Sequence, residues 1–307
     1  MEDVRKPKLV ITVGISASGK STWAKTAVLT AAHIEIPTVE INRDEIRFNE
    51  VKPGSNWSTY KFNRKNEEEV TRIALEKFEF YSKLGYDIII SDTNLNEKYR
   101  NEWVKRGEDA GYNVVISEFP ITLEEAWKRD SYRENGVGHT VIYQQWLQWQ
   151  KYKGRKVYEP NHELTKAIIV DIDGTVADKG NRFAFDWDKV DQDTPRSFII
   201  GMINSYLSLN HDVEVVFLSG RDSVCRHKTL TWISTHFGIP IHNIELYMRS
   251  EKDQRKDTII KEELFWEHID GKYNIIGAFD DRPVILRLWH SLGIPNVIAV
   301  ADPFIEF

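Results

Sequence analysis

Apolar positions in this chain fall into short β-branched runs, each followed by a longer stretch in which they recur every three or four residues. The first kind of pattern predicts strands at Lys8–Val13, Thr38–Asn42, Tyr86–Ser91 and Asn113–Phe119. The second predicts helices over Lys20–Ala32, Asn66–Leu84 and Glu97–Ala110. A further helical stretch carries Tyr143, Trp146 and Trp149 at i, i+3 and i+6, which reads as core packing before it reads as a base-stacking platform. A basic, turn-prone segment, Lys151–Asn161, then breaks the rhythm, and strand-like runs restart at Ala167–Asp171, Val213–Ser219, Asn274–Phe279 and Asn296–Ala299. Strands alternating with helices imply parallel sheets covered by helices. The expected fold class is α/β, in two domains, 1–155 and 156–307.

Composition sharpens that picture in three ways. At 307 residues the chain can bury two cores, and 41% hydrophobic with 29% charged residues excludes wholesale disorder. No apolar run approaches the roughly 20 residues of a membrane span. The charged opening MEDVRKPKLV carries no apolar signal region, and the single cysteine, Cys225, suits a reducing compartment, so a cytoplasmic protein without membrane contact is expected. The net charge of -6 is uneven: residues 1–160 carry 25 Lys+Arg against 24 Asp+Glu, the remainder 16 against 23. A protein that coats long nucleic acid needs a broad basic surface, so any nucleic-acid partner here is expected to be gripped at a short piece such as an end.

Gly14-Ile15-Ser16-Ala17-Ser18-Gly19-Lys20-Ser21 completes GxxxxGK[ST] between a strand and a helix. Such a loop wraps its backbone N–H groups and a helix N-terminus around phosphates. Gly14, Ser16, Ser18, Gly19, Lys20, Ser21 and Thr22 are the expected nucleotide-binding residues. Lys20 would reach the β- and γ-phosphates and Ser21 would help hold Mg²⁺. Asp44 falls at the end of the second strand, where open α/β sheets place ligands, and suits a general base toward an attacking hydroxyl; it equally suits a helix N-cap. Arg47 suits an acceptor phosphate or a surface pair, and Asp92, ending the third strand, suits metal support or another N-cap. Arg129 and Arg133, spaced i, i+4 on one predicted helix before the flexible Glu134–Gly138, read as a lid over transferring phosphates or as a solvated helix face.

The second half carries a different chemistry. Ile168–Thr175 is an apolar strand running into Asp171-Ile172-Asp173-Gly174-Thr175. Two aspartates at i and i+2 share one side, so one can attack phosphorus while the other protonates the leaving oxygen, with Mg²⁺ offsetting the crowded charge. Three further pieces follow in order: Ser219 at a strand end, Lys261 on a helix, and the acidic pair Asp280-Asp281 at another strand end.

This DxDGT, Ser, Lys, DD series resembles the haloacid dehalogenase (HAD) superfamily, and the whole chain resembles the bifunctional polynucleotide 5′-kinase/3′-phosphatases of T-even bacteriophage type. The likeness rests on GKSTWA (19–24), INRD (41–44), ISDTNLN (90–96), DGT (173–175), SGR (219–221) and RKD (255–257). It implies a P-loop kinase-like parallel sheet with helices on both faces, followed by a HAD-like Rossmannoid domain. Asp44 would be the base toward a 5′-hydroxyl, Arg47 an acceptor-phosphate ligand, Asp92 a supporting group, and Arg133 the lid arginine with Arg129 nearby. Asp171 would be the nucleophile and Asp173 the acid/base. Asp171, Asp173, Asp280 and Asp281 would form the Mg²⁺ site, with Thr175, Arg182, Ser219, Arg221, Asp257 and Lys261 supporting phosphatase action. The implied donor is ATP or another NTP, the implied partners are RNA or DNA ends passed on to a ligase, and the implied assembly is a homotetramer. Ala17 stands where the phage-type loop has glycine, the stretches Asp178–Asp193 and Asp222–Trp232 diverge, and insertions near Val51–Trp57 bear on which acceptor ends fit. Two other functions fit the bare motifs: a small-molecule kinase fused to a nucleotidase, and a nucleotide-driven switch protein.

Overall fold

The computed structural model describes residues 5–183 and 185–300, which fall into two compact units, one ending at Arg155 and the other beginning at Lys156. In the first, the chain runs β1 (Lys8–Val13), α1 (Lys20–His33), β2 (Thr38–Ile41), α2 (Arg43–Ile46), α3 (Arg64–Lys83), β3 (Asp87–Ile90), α4 (Glu97–Asp109), β4 (Asn113–Glu118), α5 (Leu123–Ser131) and α6 (His139–Tyr152). All four strands are parallel, in the order β2-β3-β1-β4. The period-2 alternation of Leu9, Ile11 and Val13 buries all three completely, and Leu9 and Ile11 pair in register with Ile88 and Ile90. Against that face lie Val70, Ala74 and Phe78, one helical stripe of α3, and Trp103 of α4. Helix starts follow their caps: the side chain of Asn63 accepts from the Asn66 amide, and that of Asn96 from the Tyr99 amide. α3 therefore begins two residues before the apolar pattern predicts.

The second unit holds β5 (Lys166–Val170), a short antiparallel pair β6 (Ala177–Asp178) and β7 (Thr194–Pro195), α7 (Ser197–Leu209), β8 (Val213–Asp222), α8 (Arg226–Phe237), β9 (Glu245–Arg249), α9 (Asp257–His268), β10 (Asn274–Asp280), α10 (Pro283–Leu292) and β11 (Val297–Ala299). Five parallel strands form the main sheet, ordered β11-β10-β5-β8-β9. β9 is the one main-sheet strand that the apolar pattern does not announce, because Glu245–Arg249 alternates buried and half-buried positions without a β-branched run. Both faces of β5 are apolar, as a sheet covered on two sides requires. Ile168 and Val170 meet Ile200 and Ile203 of α7 and Trp232 and Phe237 of α8. Ala167 and Ile169 meet Phe265 of α9 and Leu288 and Trp289 of α10. β5 lies between β8 and β10, so the chain turns to opposite sides after it, and the three carboxyl ends open one crevice.

Candidate active sites

The loop after β1 is shaped by two left-handed residues, Ala17 at φ 63° and Gly19 at φ 97°, and Gly19 delivers the chain into α1. Glycine takes that conformation freely; at Ala17 the Cβ makes it cost roughly 1 kcal/mol or more. Lys20 is 6% exposed and folds back on its own loop, donating to the Ile15 carbonyl at 2.6 Å and to Ser18 Oγ at 3.3 Å. Burial brings its ammonium down to about 8, against the pull of Asp92 and Asp44. The Ser16 amide donates to Gln145 Oε1 at 2.7 Å, so a side chain of α6 engages one of the phosphate-directed N–H groups. Ser21 and Thr22 face the same open cavity, of about 1350 Å³.

That cavity also receives Asp44, Arg47 and Asp92. Asp44 is not the helix cap. Asn42 takes that role, accepting the amides of Asp44 and Glu45 at 2.9 and 3.0 Å, which leaves the Asp44 carboxylate for Arg47 Nη1 at 2.6 Å. Asp92 caps a helix other than its own: its Oδ1 accepts the Arg43 amide at the start of α2, 2.9 Å away. Burial pushes its carboxyl up to about 6; the Arg43 amide opposes this and Asp44 adds to it. Arg47 is 9% exposed and makes a forked pair with Glu67, at 3.0 and 2.7 Å.

Arg129 and Arg133 do not share a helix. α5 stops at Ser131, and Arg133 sits in the following turn, its amide donating to the Asp130 carbonyl. The buried Asp130 carboxylate accepts the amides of Val137 and Gly138 at 3.1 and 2.9 Å and ties that turn down. Both arginines nonetheless line the cavity. Trp149 is buried and Tyr143 and Trp146 pack against its cluster, in the core where their spacing put them.

In the second unit the end of β5 presents Asp171, 5% exposed, to the Lys261 ammonium at 2.8 Å. The same ammonium donates to Asp280 at 2.8 Å. Asp171, Asp280 and Asp281 place carboxylate oxygens within 4.8 Å of one another, and Thr175 Oγ1 lies 3.3 Å from Asp171 and 3.4 Å from Asp281. Burial, which the Lys261 charge opposes and Asp280 and Asp281 reinforce, raises Asp171 well above the usual carboxylate range, and burial with Asp280 takes Asp281 to about 6. Burial alone would lower Lys261; Asp171 and Asp280 reverse this and leave it raised. Gly174, at φ 77°, is required here: a Cβ would lie 2.0 Å from Asp281 Oδ2.

The expected fourth carboxylate is elsewhere. Both oxygens of Asp173 accept from Arg221, Nε and Nη2 each at 2.8 Å, which draws it out of the group of three. Arg221 also pairs with Asp193 at 2.7 Å, and Asp193 in turn makes a forked pair with Arg182 at 2.7 and 2.8 Å. Arg182 reaches Asp173 only at 3.5 Å. Ser219 is fully buried and its hydroxyl accepts the Arg221 amide. Asp257 accepts from Arg249 and Arg282 at 2.6 and 2.7 Å.

Residues 165–303 match the family described as the polynucleotide kinase PNKP phosphatase domain, and residues 9–153 match the AAA domain family. A bifunctional polynucleotide kinase/RNA ligase of Autographa californica nuclear polyhedrosis virus is 34% identical over 314 residues, covering 98% of this chain and 43% of its own length. One half of the chain is thus similar to the AAA domain family and the other to the polynucleotide kinase phosphatase domain family. The chain spans less than half the length of that viral relative. Two structures of the Pnkp1/Rnl/Hen1 complex align over 98% and 99% of this chain and 100% and 99% of their own, at 25% and 26% identity, with TM-scores of 0.43 and 0.44.

A kinase domain and a HAD domain imply a nucleotide and a divalent metal. The donors in the phosphatase domain fit such an ion: three hard carboxylates converge with no His or Cys among them, and one ammonium leaves their charge incompletely offset. Sequence reasoning passed over Asn42, Glu67, Gln145 and Asp193. Asn42 carried a signal, a capping side chain ahead of Asp44-Glu45. Among the described residues no helix is long and apolar enough to cross a membrane.

Proposed function

We propose that this chain heals nucleic-acid ends, transferring the γ-phosphate of ATP or another NTP to 5′-hydroxyl ends of RNA or DNA and removing 3′-phosphates, so that a ligase can join them. The observation that carries the reading is the sharing of one cavity by Lys20 and Ser21, on the donor side, with Asp44 and Arg47, on the acceptor side. At about 1350 Å³ it exceeds the ~300–1,000 Å³ typical of small-molecule pockets, which favours a polymer end over a free nucleoside or sugar. A pure switch protein would leave the Asp44–Arg47 pair without work.

In the kinase domain, donor phosphates take the loop amides and Lys20 Nζ turns from the Ile15 carbonyl to them. Asp44 accepts the proton of the 5′-hydroxyl as its oxygen bonds to the γ-phosphorus and the bond to the β-phosphate breaks, releasing NDP. Arg47 holds an acceptor phosphate, Arg133 and Arg129 close over the donor, and Ser21 with Asp92 would hold Mg²⁺, which offsets phosphate charge.

In the phosphatase domain Asp171 attacks the 3′-phosphate, the ester bond to the 3′-oxygen breaks, and an aspartyl-phosphate forms. Asp173 gives the leaving oxygen its proton, then takes one from the water that hydrolyses the intermediate. Its carboxylate must leave Arg221 to do so. Lys261 balances charge on Asp171, and Ser219, once its hydroxyl turns, binds the transferring group. Asp171, Asp280 and Asp281 would hold Mg²⁺, whose charge favours approach of a dianionic phosphate.

One oligonucleotide with 5′-hydroxyl and 3′-phosphate ends tests the whole reading. Lys20→Ala is expected to lower 5′ labelling by at least about a thousand-fold while 3′ dephosphorylation continues, and Asp171→Ala to do the reverse. Wild-type protein that changes neither end would sink the proposal.

A further inference from the structure

The cavity of the kinase domain has an aromatic end. Residues 47–62, between α2 and α3, gather Phe48, Trp57, Tyr60 and Phe62 into one group of rings. Trp57 and Phe62 lie nearly parallel, 13° apart with centroids at 5.7 Å, and both line the cavity. Tyr60 is 8% exposed, yet Phe62 is 63% exposed, so the packing of the group leaves one ring face open. The Arg47 guanidinium carbon stands 5.6 Å from the Trp57 centroid and 5.7 Å from that of Phe62, while Nη1 reaches Asp44 at 2.6 Å. One guanidinium thus separates the rings from the carboxylate. Glu67 holds Arg47 by two bonds and accepts the Tyr60 hydroxyl at 2.9 Å, and the Trp57 amide donates to Asn135 in the turn that carries Arg133. The shelf is anchored on both sides.

We propose that the Trp57–Phe62 shelf is the stacking site for the nucleobase adjoining the 5′-hydroxyl that receives phosphate. The proposal rests on the end-healing reading above. A terminal nucleotide carries its base on C1′ and its 5′-hydroxyl on the carbon attached to C4′, both on one face of the sugar, with its 3′-phosphate on C3′. Asp44, the shelf and Arg47 offer a proton acceptor, a π-face and a cation to these three groups. Stacking contributes about 1–3 kcal/mol per base and tolerates any base, because each has a π-face. It therefore supplies affinity for a single end without sequence choice, which suits a kinase half whose charges nearly cancel, 25 against 24 up to residue 160.

The test uses two 5′-hydroxyl oligonucleotides that differ only in the first nucleotide, one bearing adenine and one abasic. With wild-type protein the abasic acceptor should show a KM about ten-fold higher, the scale of one lost base–aromatic stack. Phe62→Ala should raise the KM of the adenine acceptor to the abasic level and leave the abasic acceptor unmoved, and Phe62→Trp should restore the difference. Equal wild-type KM values for the two acceptors would overturn the proposal. So would a Phe62→Ala variant that weakens both alike, a structural effect, or one that raises the KM for NTP instead, which would assign the shelf to the donor base. Wild-type protein that phosphorylates neither acceptor removes the end-healing reading and this one with it.

Discussion

The two sites prepare for phosphate in opposite ways. In the phosphatase domain most charges already have a partner: Lys261 bridges Asp171 and Asp280, and Arg221 joins Asp173 to Asp193. In the kinase domain Lys20, the lysine of the loop after β1, has no carboxylate partner at bonding distance among the described residues. Lys20 rests on a carbonyl and a hydroxyl inside a wide cavity, and its charge is weakened by burial. The comparison teaches that a buried carboxylate such as Asp171 needs a cation beside it to offset its burial, whereas a buried lysine such as Lys20 can rest on neutral oxygens and keep its charge for an anion.

The sharpest way to break that contrast is to remove the bridging ammonium. Lys261→Met leaves Asp171 and Asp280 buried without their cation, and loss of one partner from such a group costs about 3–5 kcal/mol. Urea unfolding should show that loss, and millimolar Mg²⁺ should return part of it if the three carboxylates hold the ion. The corresponding Lys20→Met change should cost the fold little, because among the described residues Lys20 pairs with no carboxylate at bonding distance; equal losses in the two variants would erase the distinction. Next in size is Gly174→Ala. The new Cβ displaces the Asp281 carboxylate, and misplacement on the order of 1 Å at a reacting centre costs about a hundred-fold in rate. Phosphatase activity should fall by that order while 5′ labelling holds steady.

The smallest effect concerns pH. Lys20 sits at about 8 when folded, below its unfolded value of 10.5. The folded loop is therefore losing its proton where the unfolded chain still keeps it. Two consequences follow with opposite sign. NTP binding, which needs the ammonium, should weaken by up to about ten-fold per pH unit above 8. Stability of the nucleotide-free kinase domain should instead gain from this group between pH 8 and 10.5, because there the unfolded state binds more protons. A KM for NTP that stays flat from pH 7 to 9.5 would show that the loop does not hold Lys20 as described.

Much of this was visible in one dimension. Alternation at Leu9, Ile11 and Val13 and the double-sided apolarity of Ala167–Val170 mark buried parallel strands, and the eight residues Gly14–Ser21 mark a phosphate loop, because each is a local rule about what neighbouring side chains and amides do. Cap identity at Asn42 was legible too, had its side chain been weighed against that of Asp44. The end of α5 at Ser131 was not: the buried Asp130 carboxylate accepts amides from Val137 and Gly138, and that turn takes Arg133 off the helix.

By itself, then, the order of residues determined two parallel α/β domains, one built on a phosphate loop and one on a strand-end aspartate. Only tertiary structure decided which charges meet. Arg47 finds Glu67 across 20 residues, Asp173 finds Arg221 across 48, and Lys261 finds Asp171 across 90. Such pairs form where packed strands and helices bring distant segments together, and their strength depends on burial that no local pattern encodes.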